Sequence, residues 1–437
     1  MNSVRSGLTL QDAESAAAGT VLKIGRFRRC MIPVLDAFFF PYVYAVNLFR
    51  KPVPTKKDGQ IRRILVIEYT KLGDIVLLLP FLQNLRIHYP SAEVTLLADP
   101  KAIPLLQEQN LVDHLIPVRV PLAMYPSRWR RYNPFSSLWV EFLRCLLLLR
   151  RREFDLAFVG KADILQNLML WMTRAARRVG YGFRGGRYFL TDVAIPDLSN
   201  PHVADCWLAL LQTVGKPVLD RLPRLKISPD EHRLATEYLL GKGIREGEFI
   251  IGIHPGAGTR IRQWGDENFR EIADRVARRF AVKILWFEDP GTRDQARESP
   301  RGSIAVMLDL RRFMAVLARC QLLICNDSGP MHIASAFGLP VVSPFGPTEP
   351  SWYGPLGAEN RVIIHRGFWC RPCGEHCIFD KPYCLRTISI DEVLQATIEA
   401  ILSLPGARGL DKGVQVETLT GRLEENVTPQ AAHGGRI

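Results

Sequence analysis

The 437-residue sequence lacks an uninterrupted apolar run long enough to span a membrane. A spanning helix needs about 20 such residues, and the apolar stretches 31–49 and 134–149 are both interrupted by charged residues or proline. The chain also lacks the charged-then-apolar start of a signal peptide. We therefore expect a cytoplasmic protein, in which the nine cysteines do not form a disulfide framework.

Acidic residues are scarce in two segments, and this scarcity sets the net charge of +13. Residues 1–60 carry nine Lys or Arg and four acids, and residues 119–152 carry eight Arg and one acid, so the two segments supply 12 of the 13 net charges. Such an excess favours an anionic partner: a nucleic acid, a membrane surface or a phosphorylated substrate. Because no RNA- or DNA-binding motif accompanies the charge, we do not expect a nucleic-acid partner.

Both basic segments enclose the apolar stretches. Residues 31–49 lie between Arg28–Arg29 and Arg50–Lys51, an arrangement typical of a helix in the interface of an anionic membrane. A helix docked on the protein's own core explains the same pattern equally well. For 134–149, which lies inside a folded domain, we prefer the docked interpretation.

Short apolar runs alternate with helix-like stretches from residue 61 onward. The runs 63–68, 93–98 and 154–159 indicate strands of a parallel sheet, and the alternation begins again at 249–253 after a proline-punctuated stretch. We therefore predict an α/β protein with two Rossmann-like domains whose parallel sheets face each other across a cleft. The predicted parts are an N-terminal extension at 1–60, a first domain at 61–225, a second domain at 226–405 and a tail, expected to be disordered, at 406–437.

Loops that follow the predicted strands carry the candidate chemistry, because ligands of doubly wound sheets bind at the carboxyl ends of strands. In the first domain, the loop Lys71-Leu72-Gly73-Asp74 combines a glycine suited to a tight turn with an aspartate at a helix start. Asp74 either caps that helix or acts on a substrate.

Two further loops belong to the second domain. The Gly-rich loop from His254 to Thr259 precedes Arg260 and Arg262 and suits a phosphate, although it lacks the ending of a Walker A loop. The loop Asn326–His332 offers Ser328 or Asp327 as the cap of a helix whose first-turn N–H groups form an anion site. The loop that contains Thr348 borders the same crevice.

Four segments in this order resemble glycosyltransferase family 9, the heptosyltransferases of lipopolysaccharide core assembly. They are ILVIEYTKLGDIVLLLPFLQNLRIHYP, IGIHPGAGTRIRQWGDENF, ICNDSGPMHIASAFGLPVV and FGPTEP, within about residues 62–403. The resemblance implies a GT-B fold and inverting, metal-independent transfer from a nucleotide-activated sugar, typically ADP-heptose, to a lipid-linked saccharide. It further implies that no cofactor is required and that the protein is peripheral to the inner face of the inner membrane.

The resemblance also implies roles for individual residues. Asp74 becomes the general base, in agreement with the need of inverting transfer for a carboxylate that takes the acceptor's proton. Arg262 stands where the family usually has a lysine that stabilises the diphosphate leaving group, and its bidentate geometry is not equivalent. The expected donor-binding residues are Gly73, His254, Gly256, Thr259, Arg260, Asp327, Ser328, Gly329, His332 and Thr348.

Two other functions remain open at this stage. A family 9 enzyme with a UDP- or GDP-sugar donor fits the same loops. A non-catalytic nucleotide-binding protein, recruited to the membrane through residues 1–60, fits the charge pattern, although the presence of both Asp74 and Asp327 favours an enzyme.

A cluster of cysteines lies near the end of the second domain. Cys370, Cys373, Cys377 and Cys384 fall within 15 residues, a spacing that by itself suits zinc or an iron–sulfur cluster. Since similar Cys-rich stretches occur in this family without a catalytic metal, we favour free or locally paired thiols over a structural metal.

Overall fold

The computed structural model describes residues 26–49, 53–120, 137–197, 202–289, 299–357, 359–374, 377–407 and 409–412. Within these ranges, twelve strands form two six-stranded parallel sheets. The predicted α/β class, with two Rossmann-like halves, is confirmed. The predicted tail lies almost wholly outside the described residues, as do residues 1–25 and 50–52 of the N-terminal extension.

The first sheet has the strand order β3-β2-β1-β4-β5-β6. Its strands are β1 Arg63–Glu68, β2 Glu93–Ala98, β3 His114–Pro117, β4 Leu156–Val159, β5 Arg177–Gly180 and β6 Asp192–Val193. The helices of this half are α1 Arg26–Phe49, α2 Leu72–His88, α3 Ile103–Leu106, α4 Ser137–Arg151, α5 Ile164–Met172 and α6 Val203–Thr213. Because helices cover both faces of the parallel sheet, its central strands are apolar throughout rather than alternating.

The second sheet has the order β12-β11-β10-β7-β8-β9, which is the same topology repeated. Its strands are β7 Ile250–His254, β8 Lys283–Glu288, β9 Ser303–Met307, β10 Leu322–Cys325, β11 Val341–Phe345 and β12 Arg361–Ile364. The helices here are α7 Pro229–Gly241, α8 Asp266–Arg279, α9 Leu310–Leu317, α10 Gly329–Ala336, α11 Pro350–Tyr353, α12 Tyr383–Arg386 and α13 Ile390–Ser403. The predicted division at residues 225 and 226 falls between the last strand of one sheet and the first of the next, and it stays a prediction.

The strand order determines where in each sheet a ligand-binding crevice forms. In each sheet, successive strands are first added on one side and then on the other, and the order switches between the first and fourth strands, β1 and β4 or β7 and β10. The loops after these strands diverge and leave a crevice at the carboxyl edge, which is where doubly wound sheets bind ligands. All four loops that precede α2, α5, α8 and α10 therefore open toward a crevice of this kind.

The helix α1 docks on the first half through one face. Val43 is buried against Trp171 and Phe189, and Asp36 Oδ1 accepts a hydrogen bond of 2.9 Å from the Gly186 N–H. The opposite face leaves large side chains exposed, with Phe38 71% exposed. The docked interpretation of 31–49 thus describes one face of the helix, and the other face is apolar and open.

The helix α4 is divided in the same way. Phe142, Leu146 and Leu149 are buried, whereas Leu143 and Leu147 are at least half exposed. Docking on the core, which we preferred from the sequence, is therefore observed but covers only part of the apolar residues. No helix in the described part of the chain combines the length and the apolar content needed to cross a bilayer.

Candidate active site

Asp74 lies in the first turn of α2, directly after β1. Its Oδ2 accepts hydrogen bonds from Thr70 Oγ1 at 2.8 Å and from the Lys71 N–H at 3.2 Å. Lys161 Nζ lies 3.2 Å from Asp74 Oδ1. Both expectations for Asp74 are thus compatible, because it is bonded to the backbone N–H at the helix start and still borders the cleft.

Burial alone would raise the pKa of the Asp74 carboxyl. The Lys161 ammonium and the hydrogen bonds from Thr70 and Lys161 outweigh burial, and the pKa of Asp74 is lowered. The positive end of the α2 dipole acts in the same direction. Asp74 is consequently ionised at neutral pH, as a base must be before it accepts a proton.

Three residues around Asp74 were missed by the sequence reasoning. Lys161 Nζ donates to Thr70 Oγ1 at 2.6 Å and lies 3.6 Å from Glu68 Oε1. Glu68 is fully buried, and burial raises its pKa despite the neighbouring ammonium. A signal did exist, since Glu68 ends the otherwise apolar strand β1 and Lys161 follows the neighbouring strand β4, so their side chains meet at one edge.

The opposite wall of the cleft comes from the second half of the chain. Arg262 Nη1 lies 3.4 Å from Oδ2 of the buried Asp327. Lys71 approaches from the first half, and burial together with the Arg262 charge lowers its pKa to about 8. Two basic side chains from different halves of the chain, Lys71 and Arg262, therefore lie close together in the cleft.

His332 lies in α10 and packs against the first turn of α2. From the sequence, we expected Gly73 to allow a tight turn. In the structure, a Cβ on Gly73 would lie 2.8 Å from His332 Cδ2, so the close approach of the imidazole is what favours glycine here. Burial lowers the pKa of His332 to about 4. The imidazole is therefore neutral at pH 7 and offers hydrogen bonds, not charge.

The start of α10 differs from the predicted cap. Ser328 occupies the N-cap position, but its hydroxyl donates to the Asn326 carbonyl at 3.1 Å and makes no cap hydrogen bond, nor does Asp327 provide one. The helix begins at Gly329, one residue before Pro330. Pro330 has no N–H, and the Met331 N–H donates to the Ser328 carbonyl at 3.2 Å. Among the described contacts, the Gly329 N–H is therefore the first-turn donor left for another acceptor.

Asn326, also missed from the sequence, joins the second-half loops. Its Oδ1 accepts from the Trp264 N–H at 3.0 Å, and its Nδ2 donates to the Pro255 carbonyl at 2.6 Å. His254 Nε2 lies 3.4 Å from Asp289, and a Cβ on Gly256 would lie 2.5 Å from Asp289 Oδ2. The Gly-rich loop is thus held by one buried amide, and at Gly256 it lies closely against the side chains of His254 and Asp289.

The site retains buried polar atoms that make no hydrogen bond within the described residues. They belong to residues that the sequence had marked for the donor: His254 Nδ1, Thr259 Oγ1, His332 Nδ1 and Thr348 Oγ1. Buried polar atoms are normally satisfied, so this concentration indicates a ligand-binding surface. Arg260, which the sequence had also marked for the donor, is exposed instead of buried and lines a surface hollow with Arg270 and Arg386.

The cysteine segment supports the loop around Thr348. The Cys373 N–H donates to the Pro347 carbonyl at 3.0 Å, and Arg371 donates to the Thr348 carbonyl at 2.8 Å. Cys370, Cys373 and Cys377 are half-buried and Cys384 is buried. Among the described residues, no group of three or more His, Cys, Asp or Glu side chains is arranged to hold a metal ion.

Comparison with known proteins gives consistent likenesses. The model of Glycosyltransferase family 9 (heptosyltransferase) matches residues 143–382, more than half of the chain. The lipopolysaccharide core heptosyltransferase OpsX of Haemophilus influenzae is 22% identical over 314 residues, covering 69% of this chain and 84% of the relative.

Two solved structures have the same architecture. A family 9 glycosyl transferase from Veillonella parvula matches with a TM-score of 0.63 at 23% identity, covering 80% of this chain and 99% of that one. The ADP-heptose LPS heptosyltransferase II of E. coli matches with a TM-score of 0.60 at 22% identity, covering 78% of this chain and 98% of that one. The fold of the two facing sheets is therefore GT-B.

Proposed function

We propose that this chain, which belongs to glycosyltransferase family 9 (heptosyltransferase), transfers a heptose from ADP-heptose to a lipid-linked saccharide of the lipopolysaccharide core. Transfer proceeds with inversion and without a metal ion. The observation that carries the proposal is the pairing of an ionised Asp74, whose side chain is 11% exposed, at one crevice with the Arg262–Asp327 pair at the other. Residues 61–225 then bind the acceptor and residues 226–405 the donor.

The chemistry of each step matches a group in the cleft. An acceptor hydroxyl attacks the anomeric carbon and gives its proton to Asp74. The bond from that carbon to the diphosphate breaks, and its electron pair leaves with the nucleoside diphosphate. Arg262 and Lys71 offset the charge that develops on the leaving group, supported by the Gly329 N–H at the start of α10.

Sugar and nucleotide recognition follows from the remaining groups. Asp327 accepts hydrogen bonds from sugar hydroxyls, and the backbone of Ser328 and Gly329 faces the phosphates. The neutral His332 adds a hydrogen bond beside them. The buried hydroxyls of Thr259 and Thr348 find their partners on the bound donor.

Substitution of the base tests the reaction. Asp74→Asn should lower kcat by about 10²–10⁴-fold, the range typical of a lost general base, while the fold is retained. Asp99→Asn is the matched control, because Asp99 follows the neighbouring strand β2 and its carboxylate accepts a local hydrogen bond of 2.9 Å from the Lys101 N–H. Unchanged turnover in Asp74→Asn would remove Asp74 as the base.

The donor is tested by thermal stabilisation of the purified chain. A ligand at 100 times its Kd stabilises the folded state by about 2.7 kcal/mol. ADP should raise Tm, and UDP, GDP and dTDP at the same concentration should not. A clear preference for UDP or GDP would keep the enzyme class and overturn the ADP-heptose assignment.

We further propose that the protein lies on the inner face of the inner membrane through the open faces of α1 and α4. Both helices pack near α5, since Met172 contacts the apolar cluster beneath each of them. Arg144, Arg150 and Arg151 accompany the exposed leucines of α4. An apolar face bordered by arginines is complementary to an anionic lipid surface, and it lies on the half that binds the lipid-linked acceptor.

A further inference from the structure

The hydroxyl of Thr70 lies between two carboxylates. Thr70 Oγ1 is 2.8 Å from Asp74 Oδ2 and 2.5 Å from Glu68 Oε1, both within hydrogen-bond distance. Lys161 Nζ donates to the same oxygen at 2.6 Å. Three ionisable groups thus meet on one neutral hydroxyl.

A hydroxyl has one proton to donate, so Thr70 can donate to only one of the two carboxylates at a time. Its oxygen can accept a proton from one side while its own proton leaves on the other. Thr70 can therefore connect the two carboxylates rather than only hold one of them in place, because one oxygen of each lies within hydrogen-bond distance of Thr70 Oγ1.

The two carboxylates differ in their access to the cleft. The Asp74 side chain retains 11% exposure, whereas the Glu68 side chain has none. Glu68 Oε2 also makes no hydrogen bond within the described residues. An acceptor sugar can therefore reach Asp74 alone, and Glu68 can exchange protons with it through Thr70.

We propose that Thr70 and Glu68 form a proton relay behind Asp74, in which Glu68 is the final holder of the proton taken from the acceptor hydroxyl. The proposal rests on the role of Asp74 as base. In the relay, Asp74 passes the proton to Thr70 Oγ1 while the original Thr70 proton moves to Glu68 Oε1. The O–H bond on Thr70 is replaced, Asp74 returns to the carboxylate, and Glu68 becomes the neutral acid.

The surroundings favour this direction of transfer. Burial raises the pKa of Glu68, whereas Lys161 and its hydrogen bonds lower that of Asp74, so the proton is more stable on Glu68. Lys161 retains an ionised partner before and after the transfer, which avoids an uncompensated buried charge. Further charged or titratable groups near the pair are Lys71, Arg262, Asp327, His332 and Tyr353.

The test compares pH profiles of kcat for Glu68→Gln, Thr70→Val and Thr70→Ser. In the wild type, activity should fall on the acid side as Glu68 becomes protonated, at a pH raised by its burial. Glu68→Gln should lower kcat by about 10–100-fold and move this acid limb to lower pH, because Asp74 with its lowered pKa then governs it. KM for the donor should stay unchanged.

Thr70 separates a relay from a structural anchor. Thr70→Val should lose kcat as Glu68→Gln does, whereas Thr70→Ser, which keeps the hydroxyl, should restore kcat to within about threefold of the wild type. Wild-type kcat and an unmoved acid limb in Glu68→Gln would overturn the relay, as would equal losses in the Val and Ser variants. Circular dichroism identifies a variant that does not fold. If Glu68→Gln does not fold, the comparison of Thr70→Val with Thr70→Ser tests the relay.

The Asp74→Asn variant distinguishes the two proposals. If Asp74→Asn is active, the assignment of the base fails and the relay fails with it. If Asp74→Asn is inactive while Glu68→Gln and Thr70→Val turn over normally, the base stands and the relay alone is wrong.

Discussion

Replacement of Lys161 by methionine should destabilise the protein in a pH-dependent way. The side chain is 27% exposed, and its ammonium is shared by two carboxylates at 3.2 and 3.6 Å. At an effective dielectric constant of about 20, each of these pairs attracts by about 5 kcal/mol, before the cost of desolvation is subtracted. Removal of one partner from a buried pair typically costs about 3–5 kcal/mol, which is the loss we expect at pH 8.

The sign of the pH dependence follows from the pKa directions. In the wild type, the lowered pKa of Asp74 contributes stability that is present above the unfolded value and is lost as pH falls. In Lys161→Met, burial acts on both carboxylates without the ammonium, although Asp74 keeps its hydrogen bonds from Thr70 and Lys71, so both folded pKa values rise relative to the wild type. The variant therefore loses stability relative to the wild type as pH rises, and this difference should be larger at pH 8 than at pH 5.

Urea unfolding at pH 5 and pH 8 measures this difference. Lys283→Met is the matched control, because Lys283 pairs with Glu248 at 3.5 Å on the surface and each side chain is more than one third exposed. This control should lose less than about 1 kcal/mol. A loss in Lys161→Met that is equally small, or that is greater at pH 5 than at pH 8, would refute the electrostatic account.

Three further outcomes are expected. Arg262→Met should lower kcat about 100-fold or more through loss of charge at the leaving group, and Arg262→Lys should keep most of it; equal losses in a transfer assay would contradict this role. Gly73→Ala should cost about 1–3 kcal/mol of stability by overpacking against the His332 ring, measured as a fall in Tm, whereas Gly241→Ala, with open space around it, should cost none of this. Phe38→Asp should weaken sedimentation with phosphatidylglycerol vesicles by about tenfold or more, because a Phe gains about 1.5–3 kcal/mol from burial. The control Leu402→Asp, at an exposed apolar site of the second half, should bind as the wild type.

Point substitutions test the membrane proposal better than removal of the N-terminal extension. Because Val43 and Asp36 of α1 pack on the first half of the chain, deletion of residues 1–58 would uncover Trp171 and Phe189. A change in vesicle binding after deletion would then mix lost lipid contact with an exposed core. Phe38 lies on the open face of α1, and its substitution leaves the packed face intact.

The central strands and the loops after them were predictable because their residue patterns are typical of one structure only. Buried parallel strands are short apolar runs, so β1 and β2 have the predicted bounds. The strands farther from the centre of the first sheet were not predicted: β5, between β4 and β6, reads RRVG, which has no apolar pattern. Its Arg177 is satisfied by an ion pair of 2.8 Å with Asp192 on the neighbouring β6, a pairing that exists only after the chain has folded.

The same limit applies to the site. Asp74, Asp327 and Arg262 follow strands or lie in loops with recognisable patterns, so the sequence could mark them. Glu68 and Lys161 are nearly a hundred residues apart, and nothing local indicates that β1 and β4 are neighbours. The need for Gly73 was also invisible, because it comes from a histidine that belongs to the other half of the molecule.

The first turns of α2 and α10 touch each other across the cleft. Besides the approach of Gly73 to His332, a Cβ on Gly329 would lie 3.3 Å from Leu72. A hinge rotation that separates the two halves must therefore break this contact, and with it the alignment of base and donor loop. Proton transfer to the proposed base and release of the nucleotide then cannot occur in the same conformation. If separation of the two halves limits the rate of turnover, kcat should fall as solvent viscosity rises.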